Sequence, residues 1–366
     1  MVVLTVFVLG ACTPEPARMF TAAGTGVKGY GGDGGPATRA TINHPRGFAA
    51  LPDGGYLFAD AFGQRVRRVY PDGTIRTVAG TGVAGFSGDG GAATAARLNL
   101  PHAVAAVPGG GFLIADEVNF RVRKVSASGI ITTVAGTGVQ GFSGDNGPAT
   151  LAKIGASRGL AATSDGGYLI ADSSNNRVRK VSSDGIIRTV AGTGMAGFAG
   201  DGGSPTAAWL NLPFGVTPIS GGGFLISDIS NNRVRRVLNG VITTVAGTGV
   251  AGFSGDGKQA TAAQINGPVN TAVLSDGSFL IADALNHRIR KVSSGGVITT
   301  VAGTGSAGYS GDGAPATTLE INTPKAMLAF KDGFLIADSE NSRVRYVGSA
   351  PAGAKQTFRL FGVPLR

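Results

Sequence analysis

Gly80-Thr81-Gly82, Gly88-Asp89-Gly90-Gly91, Pro101, Phe112-Leu113-Ile114-Ala115-Asp116, Arg121-Val122-Arg123-Lys124-Val125 and Ile130-Ile131-Thr132-Thr133-Val134 follow one another within a single stretch of chain. The apolar runs are too short for ordinary helices, are rich in β-branched residues and are bounded by Gly, Pro and Asp, so they read as strands. The spacing predicts four of them, at 102–107, 112–115, 121–125 and 130–134, joined by hairpin-length turns. The long glycine-rich loop before Pro101 stands outside the meander. Runs that are apolar at every position imply strands covered on both faces.

The stretch recurs. Gly-Thr-Gly begins at Gly24, Gly80, Gly136, Gly192, Gly247 and Gly303, with spacings of 56 residues except for one of 55. The short copy replaces a turn such as Val181 to Ile186 with Val237-Leu238-Asn239-Gly240-Val241, which marks a surface turn. Six copies of a four-stranded antiparallel unit predict an all-β fold, a six-bladed β-propeller. A β-solenoid fits less well, because its turns are normally shorter and parallel. The chain has 366 residues, 62 of them glycine and 17 proline, and 42% are hydrophobic, which is enough to bury a core and argues against disorder. Met19 to Gly24 matches a fourth strand with no earlier strands before it. It is expected to complete the last blade and close the ring, removing two open edges. Thr357-Phe358-Arg359-Leu360-Phe361 in the tail competes for the same slot.

The pattern Gly-Thr-Gly, Gly-Asp-Gly-Gly, Asn-x-Pro, Ala-Asp-x-x-Asn-x-Arg-Val-Arg-Lys-Val resembles the NHL repeat, in the variant of teneurin propellers and many bacterial exported proteins. The resemblance covers residues 19–347. It implies a propeller and usually a binding role, although the family also spans enzymes and RNA binders.

Two aspartates and two arginines recur in every copy. Asp33, Asp89, Asp145, Asp201, Asp256 and Asp312 lie in the long loops. Asp60, Asp116, Asp172, Asp228, Asp283 and Asp338 close the second strands, five residues before Arg65, Arg121, Arg177, Arg233, Arg288 and Arg343. That spacing across a hairpin predicts structural ion pairs between each of these aspartates and the first arginine, whose fork suits bidentate contact. The second arginines are Arg67, Arg123, Arg179, Arg235, Arg290 and Arg345. With Arg68, Lys124, Lys180, Arg236 and Lys291 they make the repeat basic, and half of the net charge of +10 comes from these positions. A polyanion partner is therefore only weakly indicated by charge, and no nucleic acid is expected.

In a meander the glycine-rich loops and the second-to-third hairpins share one face of the disk. That face carries the longer loops and is the expected ligand-binding surface, with Phe62, Gln64, Phe120, Asn176, Asn232 and His287 as its variable positions. Tyr30, Phe86, Phe142, Phe198, Phe253 and Tyr309 recur in register and read as packing anchors. Trp209, the only tryptophan, is expected under the fourth loop.

Catalytic chemistry has few candidates. His44 and His102 flank a proline near the channel opening at non-equivalent offsets, and His287 sits in a hairpin, which does not make a three-histidine metal site. No Ser, His and Asp grouping stands out. One carboxylate per loop is thin for calcium, and Gly-Thr-Gly-x-x-Gly lacks the helix of a dinucleotide site. No metal and no cofactor are expected. Residues 1–12 resemble a signal peptide ending in a lipobox, Leu9-Gly10-Ala11-Cys12, with Cys12 as the lipidation site. No Lys or Arg precedes the apolar run, so the true start is expected upstream or the signal is defective. A linker at 13–18, a propeller at 19–347 and a tail at 348–366 follow. The expectation is a monomeric, exported, lipid-anchored scaffold that binds a protein or carbohydrate without catalysis. Simple secretion is the alternative location, and a metal-dependent propeller hydrolase or lyase the alternative function.

Overall fold

The computed structural model describes residues 15–349. Six antiparallel sheets stand around a central channel. In the second blade the strands are Pro101–Ala106, Gly111–Asp116, Arg121–Ser126 and Ile131–Ala135. The first strand of each blade lies innermost, against its two neighbours. These inner strands are Pro45–Ala50, Pro101–Ala106, Ser157–Ala162, Pro213–Pro218, Pro268–Val273 and Pro324–Phe330. Helical structure among the described residues is confined to short 3₁₀ turns. The third blade gains an edge bridge, Gly147–Pro148 against Ile186 and Ile187.

Ring closure comes from the N-terminal segment. Arg18–Ala23 runs antiparallel to Arg343–Gly348, with Met19 opposite Val347 and Phe20 opposite Tyr346. The sixth blade therefore combines the two ends of the propeller, so opening it requires breaking a full strand pairing. The tail segment Thr357 to Phe361 lies outside the described residues. The core is laid between blades: Leu57 and Ala59 of the first blade pack with Val104, Phe112 and Ile114 of the second. Small side chains let the inner strands converge. A Cβ on Gly47 would stand 2.8 Å from the Ala103 Cα, and one on Gly159 only 2.5 Å from the Phe214 carbonyl oxygen.

The repeated charges form one network per blade, and its pairing corrects the sequence expectation. Asp60 and Arg65 are register partners across the hairpin, as are Asp116 and Arg121, Asp172 and Arg177, Asp228 and Arg233, Asp283 and Arg288, and Asp338 and Arg343. The ion pairs nevertheless run to the second arginine. Arg67, Arg123, Arg179, Arg235, Arg290 and Arg345 are fully buried. Each reaches a loop aspartate at 2.6–2.9 Å and the strand-end aspartate at 3.3–3.7 Å. The strand-end carboxylate also accepts a backbone N–H from the residues before the inner strand, such as Asn99 N at 2.7 Å from Asp116. Burying a guanidinium is tolerable only with such paired carboxylates.

The first arginine turns instead toward the loop aromatic. Arg65, Arg121, Arg177, Arg233, Arg288 and Arg343 stack 3.5–3.8 Å from the ring centres of Tyr30, Phe86, Phe142, Phe198, Phe253 and Tyr309. They also donate to carbonyls, as Arg65 does to Gly63 at 2.8 Å and Thr81 at 2.6 Å. This arrangement explains Gly-Thr-Gly. A Cβ on Gly82 (φ +88°) would lie 2.1 Å from the Arg65 guanidinium, and one on Gly80 2.3 Å from the Gln64 carbonyl oxygen. Trp209 lies against Gly197 of the fourth loop.

Candidate functional site: the channel mouth

The hairpin positions expected to form the binding surface divide in two. Gln64, Phe120, Asn176, Asn232 and His287 all have left-handed backbone, with φ between 49° and 52°. Four of them accept a hydrogen bond from the next blade: Gln64 Oε1 from Leu100 N, Asn176 Oδ1 from Leu212 N, Asn232 Oδ1 from Gly267 N and His287 Nδ1 from Thr323 N. These side chains join blades. Phe62 differs: it is 48% exposed, packs at 4.4 Å from the His44 ring, and has Arg46 5.6 Å from its ring centre. It marks the rim of the channel.

The second residue of each inner strand occupies the mouth. In chain order these are Arg46, His102, Arg158, Phe214, Val269 and Lys325. Three cations and a histidine come from blades six, one, two and three, while blades four and five supply apolar side chains. The ring is tight: the His102 and Phe214 rings are 4.9 Å apart, edge to face, and the Arg158 guanidinium is 5.1 Å from the Phe214 centre. Phe214 packs on the cluster that contains Val269.

Glu117, from the second blade's hairpin, enters this group buried. Its Oε1 accepts from Arg158 Nε at 2.9 Å, and its Oε2 lies 3.6 Å from Arg46 Nη1. Glu340 stands further out, shared by His44 at 3.1 Å and Lys28 at 3.7 Å. Lys325 has no ion-pair or hydrogen-bond partner among the described residues. Burial lowers its pKa from the ordinary lysine value, and the charge of Arg46 lowers it further. His102 is pushed well below 6.5 by burial and by Arg46, Arg158 and Lys325. Burial and Arg158 lower Arg46 despite Glu117. Three buried polar atoms here lack hydrogen-bond partners: Arg46 Nε, His102 Nε2 and Glu117 Oε2.

Beyond the ring the channel wall carries no charged side chain among the described residues. A cavity of about 290 Å³ is lined by Gly47, Leu160, Val216, Thr271, Ala326 and Met327, among others. The mouth thus joins surplus positive charge to an uncharged shaft whose wall mixes apolar side chains with Thr217, Asn270 and Thr271. Among the described residues no three His, Cys, Asp or Glu side chains converge as metal ligands. The cations at the ring would repel a bare divalent ion. The mouth is hidden in the sequence because its two nearest histidines, His44 and His102, stand at different register positions of their blades. Arg46, His102, Arg158 and Lys325 nevertheless stand at one register, the second residue of the inner strand, which opens with proline in five copies and with Ser157 in the third.

No family model matches the chain. Teneurin-4 of Mus musculus is 30% identical over 229 residues, which is 56% of this chain and 8% of the teneurin. The chain spans that small share of its relative's length. An auxiliary nutrient binding protein from Bacteroides thetaiotaomicron superposes with a TM-score of 0.65 at 16% identity, covering 91% of this chain and 76% of that one. A gluconolactonase from Xanthomonas campestris superposes with a TM-score of 0.57 at 12% identity, covering 91% and 89%. At such identities the two structures share the fold alone. The teneurin likeness and the six repeated blades support an NHL-type β-propeller.

Proposed function

We propose that the chain is a non-enzymatic, exported binding scaffold whose ligand engages the hairpin face by placing one group in the channel mouth. The observation that carries this reading is the concentration of unrepeated charged residues at that mouth, in a molecule whose other fully buried charges recur in every blade. Fold stability does not require Lys325, which lacks a partner there. The nutrient-binding neighbour supports a binding role, while the gluconolactonase has the same fold with another task. A protein or a glycan of the cell envelope is the class of ligand proposed, with the propeller acting as a monomer.

The export reading rests on Cys12 and its lipobox, which lie outside the described residues. A lipid anchor at Cys12 would hold the propeller at the membrane. Cys12→Ser should then move the protein from the membrane fraction to the soluble one and block precursor processing. Unchanged fractionation would refute the anchor. For the binding role, purified full chain should retain compounds from an envelope extract and release them chemically unchanged by mass spectrometry. Conversion of a retained compound would favour the hydrolase or lyase alternative. Retention unaffected by Arg46→Gln together with Phe214→Ala would remove the ligand from the mouth.

A further inference from the structure

The six-fold repeat accounts for most of the clefts and charged groups of the propeller. The clefts between the lower ends of blades recur around the ring, at the first and sixth blades, the fourth and fifth, and the fifth and sixth. They follow from the way blades splay. The Asp-Arg-Asp networks recur in every blade and are internally paired. Among the described residues the channel mouth combines three unpaired buried polar atoms with a ring of charged residues that the repeat does not dictate.

We infer that the group received by the mouth is a single carboxylate carried on a flat apolar body, held by Arg46, Arg158 and Lys325 with the body against Phe214. The inference rests on the binding reading above and adds the chemistry of what is bound. The first reason is charge. Arg46, Arg158 and Lys325 bring three positive charges to one ring, and Glu117 is the only carboxylate among the described residues that pairs with any of them within 4.0 Å. Glu340 is engaged by His44 and Lys28. The remaining surplus suits one or two negative charges, and an anion seated there would offset the mutual repulsion of the three cations.

The second reason is unmet hydrogen bonding. His102 is 3% exposed, and its Nε2 has no partner, as is true of Arg46 Nε. Buried polar atoms are normally paired, and a site built to bind leaves such atoms for its ligand. Arginine forks and an ammonium match carboxylate oxygens, in charge-assisted bonds stronger than neutral ones.

The third reason is asymmetry. Cations occupy the arc of blades six, one and three, with His102 between, whereas Phe214 and Val269 occupy the arc of blades four and five. A small inorganic anion would leave the apolar arc unused. A neutral ring compound would leave the cations uncompensated. An aryl acid satisfies both arcs at once, and the edge of the His102 ring already shows how a planar group meets Phe214.

Calorimetric titration of the full chain with benzoate, benzamide and inorganic phosphate tests this. Benzoate should bind, with benzamide and phosphate each weaker by about 10-fold or more, as expected for loss of one charge-assisted contact set or of the apolar contacts. Lys325→Met and Arg46→Gln should each weaken benzoate about 10- to 100-fold. Lys258→Gln, an exposed lysine away from the mouth, should leave it unchanged. Equal binding of benzoate and phosphate would overturn the apolar part. Equal binding of benzoate and benzamide, lost in Phe214→Ala and retained in Lys325→Met, would overturn the carboxylate while preserving a binding mouth. Absence of binding by all three probes would overturn the inference, and the envelope-extract experiment then decides the binding role separately.

Discussion

Arg123 and Arg46 are both arginines withdrawn from solvent, yet they belong to regions organised on opposite principles. Arg123 has five equivalents, is fully buried, and contacts Asp89 at 2.7 Å and Asp116 at 3.4 Å. Arg46 has a histidine, an arginine, a phenylalanine, a valine and a lysine at the equivalent places, and shares a single carboxylate with Arg158. Where every blade solves the same problem, the solution repeats and each buried arginine is paired with two carboxylates. Where six blades meet at one point, each contributes a different side chain and the charges are left incomplete. In a repeat protein, departure from the repeat at a shared locus is thus a stronger pointer to binding than any repeated charge.

The comparison breaks first if the paired network is dispensable. Arg123→Met leaves two aspartates facing apolar atoms, one of them fully buried. It should cost about 3–5 kcal/mol, the usual penalty for breaking a buried pair, and lower Tm on the order of 10 °C. Arg121→Ala, which removes the Phe86 stack and two carbonyl contacts, should cost less, about 1–2 kcal/mol. Equal losses in urea denaturation would mean that the two arginines are not functionally distinct within the blade. The glycines sharpen the same point. Gly82→Ala must displace the Arg65 guanidinium as well as strain a positive φ, whereas Gly90→Ala at φ +82° meets no atom within 4 Å. The first should cost about 2–3 kcal/mol and the second about 1, both read from chemical denaturation.

The difference between the regions also governs what the sequence reveals. Period, strand number and the lone fourth strand at Met19 are legible because each blade is specified locally and then copied. The pairing of Asp116 is not. Its register neighbour is Arg121, as hairpin spacing suggests, but Arg123 is held by Asp89 from the preceding loop as well. That loop folds back over the outer strands, with Asp89 also accepting from the Thr133 hydroxyl at 2.6 Å, a tertiary contact that no local pattern encodes. Likewise Asn176 and Asn232 look like variable surface polar residues, whereas their carbonyl oxygens join blades. The mouth is illegible within any one copy because Arg46 and Lys325 become neighbours only when the ring closes.

At the mouth the sign of the stability effect should invert. Lys325→Met removes a half-buried, unpaired ammonium beside Arg46 and replaces it with an apolar chain of similar length. Stability should rise by roughly 1 kcal/mol, because replacing poorly compensated buried charge by packed apolar atoms is commonly favourable. Denaturation of this variant beside Arg123→Met gives the clearest test of the division, since the two substitutions remove a cation from each region. A loss of several kcal/mol in Lys325→Met would place the lysine among the structural charges.

The smallest effect is a pH dependence. Burial and the charges of Arg46, Arg158 and Lys325 hold the His102 pKa well below 6.5 in the folded chain. Below pH of about 6.5 the unfolded chain takes up a proton that folded His102 refuses, so this residue makes stability fall as pH decreases. The contribution is complete above the unfolded value and is lost progressively until pH reaches the folded one. From pH 7 to pH 6 the loss should be roughly 0.7 kcal/mol for one histidine with an unfolded value near 6.5. His102→Gln should remove that increment from the wild-type pH profile of denaturation, leaving the terms from His44 and His287 in place. Removing a cation should act in the opposite sense on the histidine itself: in Arg46→Gln the imidazole resonances of His102 should titrate at higher pH than in wild type. Were His102 to titrate unchanged in that variant, the mouth would not be the electrostatically coupled ring that distinguishes it from the blades.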